Sequence, residues 1–357
     1  MPLARKQVKE LPPSLLLIYA QLLEQVSNPL PVVRDIIFLR REITGKPYWF
    51  RRVQLGSTRM ELSLGRETNE LITEIEQAKL RMKEAEQEIK SREYLVSMLI
   101  AGGANSIDPL SGRVLILLEG AGVFVAGGVL VGSHAFNVYG NMLGYKFALE
   151  TARTADIDLS ISIGISRETS DLKTAIMDSG LGFFEVPALD KKSASTSYKI
   201  RGKELIVDLL TPLIGPDTSK PIYLPGLKSY ASPMRFLDYL IKDPVKAIVV
   251  AGSGILVNVP QPARYAIHKL VLSQRRPVSM QVKSIKDLNQ AACLLEILSL
   301  DRPADLRPAL IDVHQSKSQK FEKQMLAGFE QVCKRNLLPA EVINHFNDNW
   351  MELQNDV

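Results

Sequence analysis

The chain has 357 residues, 46% hydrophobic and 23% charged, which excludes a disordered or low-complexity protein and leaves room for roughly two or three folding units. A formal charge of +5 is a mild bias toward polyanions such as nucleotides or RNA, and no more than that. The longest apolar stretch, residues 114–134, carries Glu119 and several glycines and falls short of a membrane span; with no apolar leader at the start, a cytoplasmic protein without membrane contact is expected.

Residues 11–45 hold two apolar stripes, Leu15, Leu16, Ile18, Leu22 and Leu23, then Val33, Ile36, Ile37 and Leu39. They predict two helices ended by Gly45-Lys46-Pro47. The period then changes. Residues 48–53 are rich in strand formers, Gly56-Ser57 supplies a turn and residues 60–64 alternate, so a β-hairpin is predicted over 46–65. Its Lys46, Arg51, Arg52 and Arg59 lie beside Tyr48 and Trp49. That interleaving suits a nucleic-acid surface. The preferred reading is plainer: an amphipathic hairpin with aromatics toward a core and arginines toward water. One long helix follows over 68–100, capped by Thr68 or Asn69, with Glu67, Glu70 and Glu74 at its positive end. Its stripe of Leu71, Ile75, Ala78, Leu80, Met82 and Ala85 predicts a packing helix or a coiled-coil-like arm that could pair two copies of the chain. Gly102-Gly103 ends it and marks a boundary.

Residues 106–215 read as an α/β unit. A helix over 110–119 leads to a buried strand at 129–131, and Gly132-Ser133 opens a helix to Leu143. A strand over 157–165, a helix over 171–177 and strands at 183–186, 196–200 and 205–210 follow, the last two joined by Arg201-Gly202-Lys203. Residues 216–232 read as loops. A strand pair around 247–250 and 255–259 precedes five helices, over 263–274, 282–299, 303–313, 317–334 and 339–353. The division expected is a helical N-terminal region with a β-hairpin (1–105), a catalytic core (106–215) and a mostly helical C-terminal domain (216–357). Cys293 and Cys333 fit neither a zinc pattern nor a disulfide framework and read as free thiols.

Chemistry concentrates in three places. Asp156 and Asp158, two apart in a strand, share one face, and Asp208 interrupts another apolar strand where a core residue is expected. Three carboxylates on neighbouring strands repel unless cations sit between them, and oxygen ligands at a sheet end suit a pair of Mg²⁺ ions, with Mn²⁺ as a substitute. Gly132 and Ser133, between strand and helix, can hold phosphates through backbone N–H groups and a hydroxyl. Each feature alone is common; their order is what points to a site. His134 reads as a helix-start residue rather than a base, and His268 as a packing residue.

That order resembles the nucleotidyltransferase superfamily, of the DNA polymerase beta-like kind. Its glycine-serine turn matches Val131-Gly132-Ser133, its paired carboxylates match Asp156-Ile157-Asp158-Leu159, and its later carboxylate matches Asp208. Residues 127–136 with 262–270 and Lys286-Asp287-Leu288 further resemble a bacterial nucleotidyltransferase-like family and, more distantly, the nucleotidyltransferase toxins of abortive-infection systems. The resemblance implies an α+β fold, a mixed sheet with flanking helices completed by the C-terminal helices. It implies that Asp156, Asp158 and Asp208 bind metal and catalyse. Gly132, Ser133, Lys269, Arg264 and Lys286 would bind the nucleotide. The implied reaction moves an NMP from an NTP to a hydroxyl, with ATP one candidate donor. RNA, perhaps tRNA, is the favoured acceptor and protein the other, and an antitoxin or regulatory partner fits a toxin-like role. The alternative is a catalytically silent nucleotide-binding or regulatory protein with the same fold.

Overall fold

In a computed structural model, which describes residues 8–28, 36–55, 58–147, 156–161, 172–187 and 193–355, the chain opens on a short strand, β1 (Val8–Glu10). At 53–55, 58–60 and 156–161 the backbone alone is described. Helix α1 (Pro13–Ser27) follows, a helix as the first stripe predicts, but its buried face is Leu15, Tyr19, Leu22 and Val26, while Leu16 of that stripe is exposed. The second stripe is not a helix. Residues 36–43 form β2 (Ile36–Ile43), paired antiparallel with β3 (Lys46–Leu55), which pairs in turn with β4 (Thr58–Arg66). The expected hairpin is therefore one part of a three-stranded sheet. The cause lies in the turn. Thr44 and Gly45 both take positive φ, 49° and 74°, in a two-residue connection that matches strand twist and sends the β-branched run Ile36-Ile37 back along β3.

Helix α2 (Asn69–Ala101) starts where predicted, with the Thr68 hydroxyl accepting the N–H of Leu71 at 3.2 Å. Its last turns bury Leu95, Val96 and Leu99 against α1 and the floor made by Ile248 and Val250, a second core separate from the main one.

The main body begins with α3 (Pro109–Gly120), capped by the Asp108 carboxylate on the N–H groups of Leu110 and Ser111. Next come β5 (Gly128–Val131), buried on both faces, and α4 (Gly132–Leu143). Strand β6 (Tyr145–Phe147) turns back to pair with β1. Then β7 (Asp156–Ile161), α5 (Leu172–Met177), β8 (Phe183–Glu185), β9 (Ser197–Ile200) and β10 (Ile206–Pro212) follow in order. Residues 216–232, expected as loops, instead hold β11 (Ile222–Leu224) and most of β12 (Ser229–Met234), both in the same sheet. Their prolines and glycine hid short strands: β12 pairs with β10 only at its C-terminal end, and β11 lies at the sheet's edge.

The seven strands form a mixed sheet in which β5 is antiparallel to β7 and β7 parallel to β10. The other edge of β10 is shared: β9 pairs antiparallel with its first half and β12 parallel with its second. Helix α6 (Leu237–Leu240) and the hairpin β13 (Val245–Val249) and β14 (Ile255–Val259) lead into the C-terminal helices. These are α7 (Pro262–Arg275), α8 (Gln281–Asp301), α9 (Leu306–Gln315), α10 (Gln319–Lys334) and α11 (Ala340–Asn355). One continuous apolar core runs from Val114 in α3 through the sheet to Leu353 in α11. The chain is thus an α+β protein, a curled mixed sheet with helices flanking it.

Candidate active site

The register of three strands brings the carboxylate positions together. Asp158 in β7 stands beside Asp208 in β10, and beside Val131, the last residue of β5. Adjacent strands are about 4.8 Å apart, so these positions are immediate neighbours. Asp156 lies two residues earlier, opposite Ile206. The side chains of Asp156 and Asp158 fall outside the described residues. On its far side Asp208 faces Ser197 of β9, whose hydroxyl donates to Asp208 Oδ1. Asp208 does not take a core position, contrary to expectation. Val207, Leu209 and Thr211 are the buried set of β10; Asp208 shares the half-buried face with Ile206 and Leu210.

The Gly132-Ser133 turn is where β5 becomes α4. Gly132 takes φ 69°, a backbone that favours glycine, and Val131, the N-cap residue, gives the first turn of the helix no side-chain cap. The Gly132 carbonyl is fixed from another unit: the Tyr265 hydroxyl of α7 lies 2.8 Å from it and 3.0 Å from Gln290 Oε1 of α8. The C-terminal helices therefore pin the turn that ends β5. His134 follows, 5% exposed, its Nε2 without a hydrogen bond among the described residues. Burial pushes its pKa down to about 4; Asp108 opposes the shift and the Lys286 ammonium adds to it. The imidazole is neutral at pH 7. Half-buried Lys286 lies about one helical turn before Gln290, the α8 residue that shares the Tyr265 hydroxyl with the Gly132 carbonyl.

Lys269 is buried, with Nζ 2.7 Å from Asp287 Oδ1 and 5.2 Å from the centre of the Tyr265 ring. Arg276 Nε binds the other Asp287 oxygen. Burial would raise the Asp287 carboxyl, but the two cations outweigh it and hold it below the ordinary range. His268 is buried beside them. Burial drives its pKa down to about 3, with Lys269 adding to the shift. Arg264 points elsewhere: it pairs with Asp312, which also takes Lys242 at 2.8 Å, and lies over the Tyr239 ring. The structure thus draws Gly132, Ser133 and Lys286 into one neighbourhood, sets Asp158 beside Asp208, and commits Lys269 and Arg264 to carboxylates of their own.

A cleft of about 450 Å³ opens further along the Asp208 face, at the C-terminal ends of β10 and β12. Leu210, Ser232 and Met234 form its sheet side, and His268, Leu272 and Arg275 of α7 its helical side. Sequence reading expects a nucleotide cleft completed by the C-terminal helices, but it missed Ser197, Tyr265, Gln290 and Arg276. Ser197 carried a signal: counting back across the Arg201-Gly202-Lys203 turn pairs it with Asp208.

A family model described as nucleotidyltransferase matches residues 110–315. The chain belongs to the nucleotidyltransferase family. The match is more than half of the chain and runs from α3 through α9, so it contains both the carboxylate strands and the helices that hold the Gly-Ser turn. No curated protein and no solved structure matches the chain. Among the described residues of this nucleotidyltransferase, no helix is long and apolar enough to cross a membrane.

Proposed function

We propose that this nucleotidyltransferase moves an NMP from an NTP to a hydroxyl acceptor, RNA by preference, releasing pyrophosphate. The observation that carries the reading is the pairing of Asp158 with Asp208 on adjacent parallel strands, beside the end of β5 and its Gly-Ser turn. The donor set fits magnesium: carboxylates and a hydroxyl are hard oxygen ligands, and neither cysteine is in these strands. Asp156, Asp158 and Asp208 would hold the ions, which when bound polarise the phosphoryl oxygens and lower the pKa of the attacking hydroxyl. Gly132 and Ser133 receive the triphosphate through the uncapped first turn of α4, where N–H groups and the helix dipole favour an anion. Lys286 adds charge beside them. Lys269 acts through Asp287 and Arg276, fixing α7 and α8 around the turn. The cleft beyond Leu210 is the place for the nucleoside, with apolar walls for a base and Arg275 at its rim.

The test is transfer of label. Each α-labelled NTP is incubated with the protein, Mg²⁺ and total RNA or, separately, total protein, alongside Asp158→Asn and Asp208→Asn. Label on RNA with wild type and its loss in both variants is the expected result. Absence of label on every acceptor, or equal label in the variants, overturns the reading; label on protein alone moves the acceptor, not the chemistry.

A further inference from the structure

The sheet β2–β3–β4 precedes the family match and takes no part in the site above. Pleating sorts its side chains onto two faces. One face carries Arg40 and Trp49. Arg40 grips Glu67 at 2.6 and 3.0 Å, the Trp49 indole donates to Glu67 at 2.9 Å, and Lys79 of α2 lies over the Trp49 ring. That face is spent on the start of α2. The other face is set by cross-strand register. Tyr48 stands between Arg41 and Arg66, Phe50 between Leu39 and Ser63, and Arg52 between Ile37 and Glu61. Lys46 extends it beside Ile43. Ile37 and Ile43 are 52% and 44% exposed and Tyr48 and Phe50 half-buried, so among the described residues nothing closes over this face at Ile37 and Ile43. Residues 36–66 hold seven Lys and Arg against two Glu; that excess of five equals the formal charge of the whole chain.

We propose that this open face binds a single strand of nucleic acid, with bases stacked on Tyr48 and Phe50 and phosphates paired by Arg41, Lys46 and Arg66. The two rings are alternate residues of one strand, about 7 Å apart along it. That is roughly twice the 3.4 Å step between stacked bases of a duplex strand, so the bases must be drawn apart, which a single strand allows and a duplex resists. Arginines on both sides of Tyr48 place cations where a backbone flanking a stacked base would run. Arg41 already lies over the Phe50 ring, 5.1 Å from its centre, the packing a base would extend. Glu61 is the one carboxylate in this array. It holds Arg41 at 2.7 Å and Arg52 at 3.2 Å, in partly exposed pairs that a phosphate can replace at little cost. The nucleic-acid reading of the hairpin, the less favoured one from the sequence, thus returns with a different membership: Trp49 is structural, and Tyr48 and Phe50 are the stacking rings.

The experiment uses the full chain without NTP or Mg²⁺, so it stands apart from the transfer reaction. Fluorescein-labelled 12-nucleotide RNA and DNA single strands and the matching duplex are titrated by anisotropy. Both single strands should bind, and the duplex about tenfold more weakly or worse. Tyr48→Ala with Phe50→Ala should weaken binding about tenfold or more, Tyr48→Phe should not, and Glu61→Gln should tighten it. Arg41→Ala and Arg66→Ala should each reduce the slope of log affinity on log salt by about 0.7. In a Trp350→Phe background, Trp49 emission reports whether the sheet remains folded in the ring variant; if it does not, the arginine and Glu61 variants decide. No binding, equal binding of duplex, or arginine and Glu61 variants indistinguishable from wild type would each overturn the proposal.

Discussion

Asp208 is held by its strand neighbours on both sides, by Asp158's position in β7 and by the Ser197 hydroxyl in β9. A hydroxyl that orients a metal-binding carboxylate is worth about 10- to 100-fold in activity or metal affinity. Ser197→Ala should therefore raise the Mg²⁺ needed for half-maximal transfer by that order while leaving the melting temperature nearly unchanged; a magnesium titration identical to wild type removes Ser197 from the site. The aspartate was legible in the sequence because a charge inside an apolar strand is unusual. Its facing was not, since alternation gives two faces and only the packed helices decide which is the core. His134 shows the same limit: its place at the helix start could be read, its burial could not. Its folded pKa of about 4 lies below the unfolded value near 6.5. Above pH 6.5 neither state binds the proton and the stability is full. Between about 6.5 and 4 the unfolded chain alone is protonated, so stability falls across that window by roughly 3 kcal/mol at most. In urea titrations at pH 7.5 and 4.5, wild type should lose more stability than His134→Gln; parallel losses would contradict the buried neutral imidazole.

Among elements, α7 does the most connecting. Its Tyr265 side meets the Gly-Ser turn and α8, its His268 side lines the cleft, and α10 crosses it where Gly328 meets Leu270. A Cβ on Gly328 would run into the Leu270 carbonyl and come within 2.9 Å of its Cα, backbone that cannot swing aside, so Gly328→Ala should destabilise the bundle by about 1–3 kcal/mol. Asp287 is the more telling position. It is 2% exposed and neutralises both Lys269 and Arg276, so Asp287→Ala leaves buried Lys269 and half-buried Arg276 without their carboxylate and should cost about 3–5 kcal/mol. Adding Lys269→Met should recover part of that loss in denaturant melts. If the double variant is no more stable than the single one, the Lys269 charge is not what the carboxylate serves. The long helices were legible because each repeats its period over many turns. The short strands β11 and β12 were not, because three to six residues beside prolines carry too little pattern, and β2 was misread because a helical stripe also fits a strand whose turn lies at Thr44-Gly45.

Across the whole molecule the apolar burial is unevenly shared. The main core takes residues from the sheet and all the long C-terminal helices, Trp350 of α11 among them. Between residues 36 and 66 no described side chain is fully buried; Trp49, the other tryptophan, is only partly covered. A three-stranded sheet with half-buried aromatics has little to resist local opening, whereas the strands and helices that share one core should unfold together. The two tryptophans report these parts separately. In Trp350→Phe the emission comes from Trp49 alone, while far-UV ellipticity of the same variant follows the helices. The Trp49 signal should change at clearly lower urea than the ellipticity. Single-stranded RNA, if it binds the Tyr48 face, should move the Trp49 transition upward and leave the helical transition where it was, because a ligand stabilises only the unit that binds it. Coincident transitions without RNA would mean that the sheet is locked to the body, and a shift of both by RNA would place the binding surface outside the sheet.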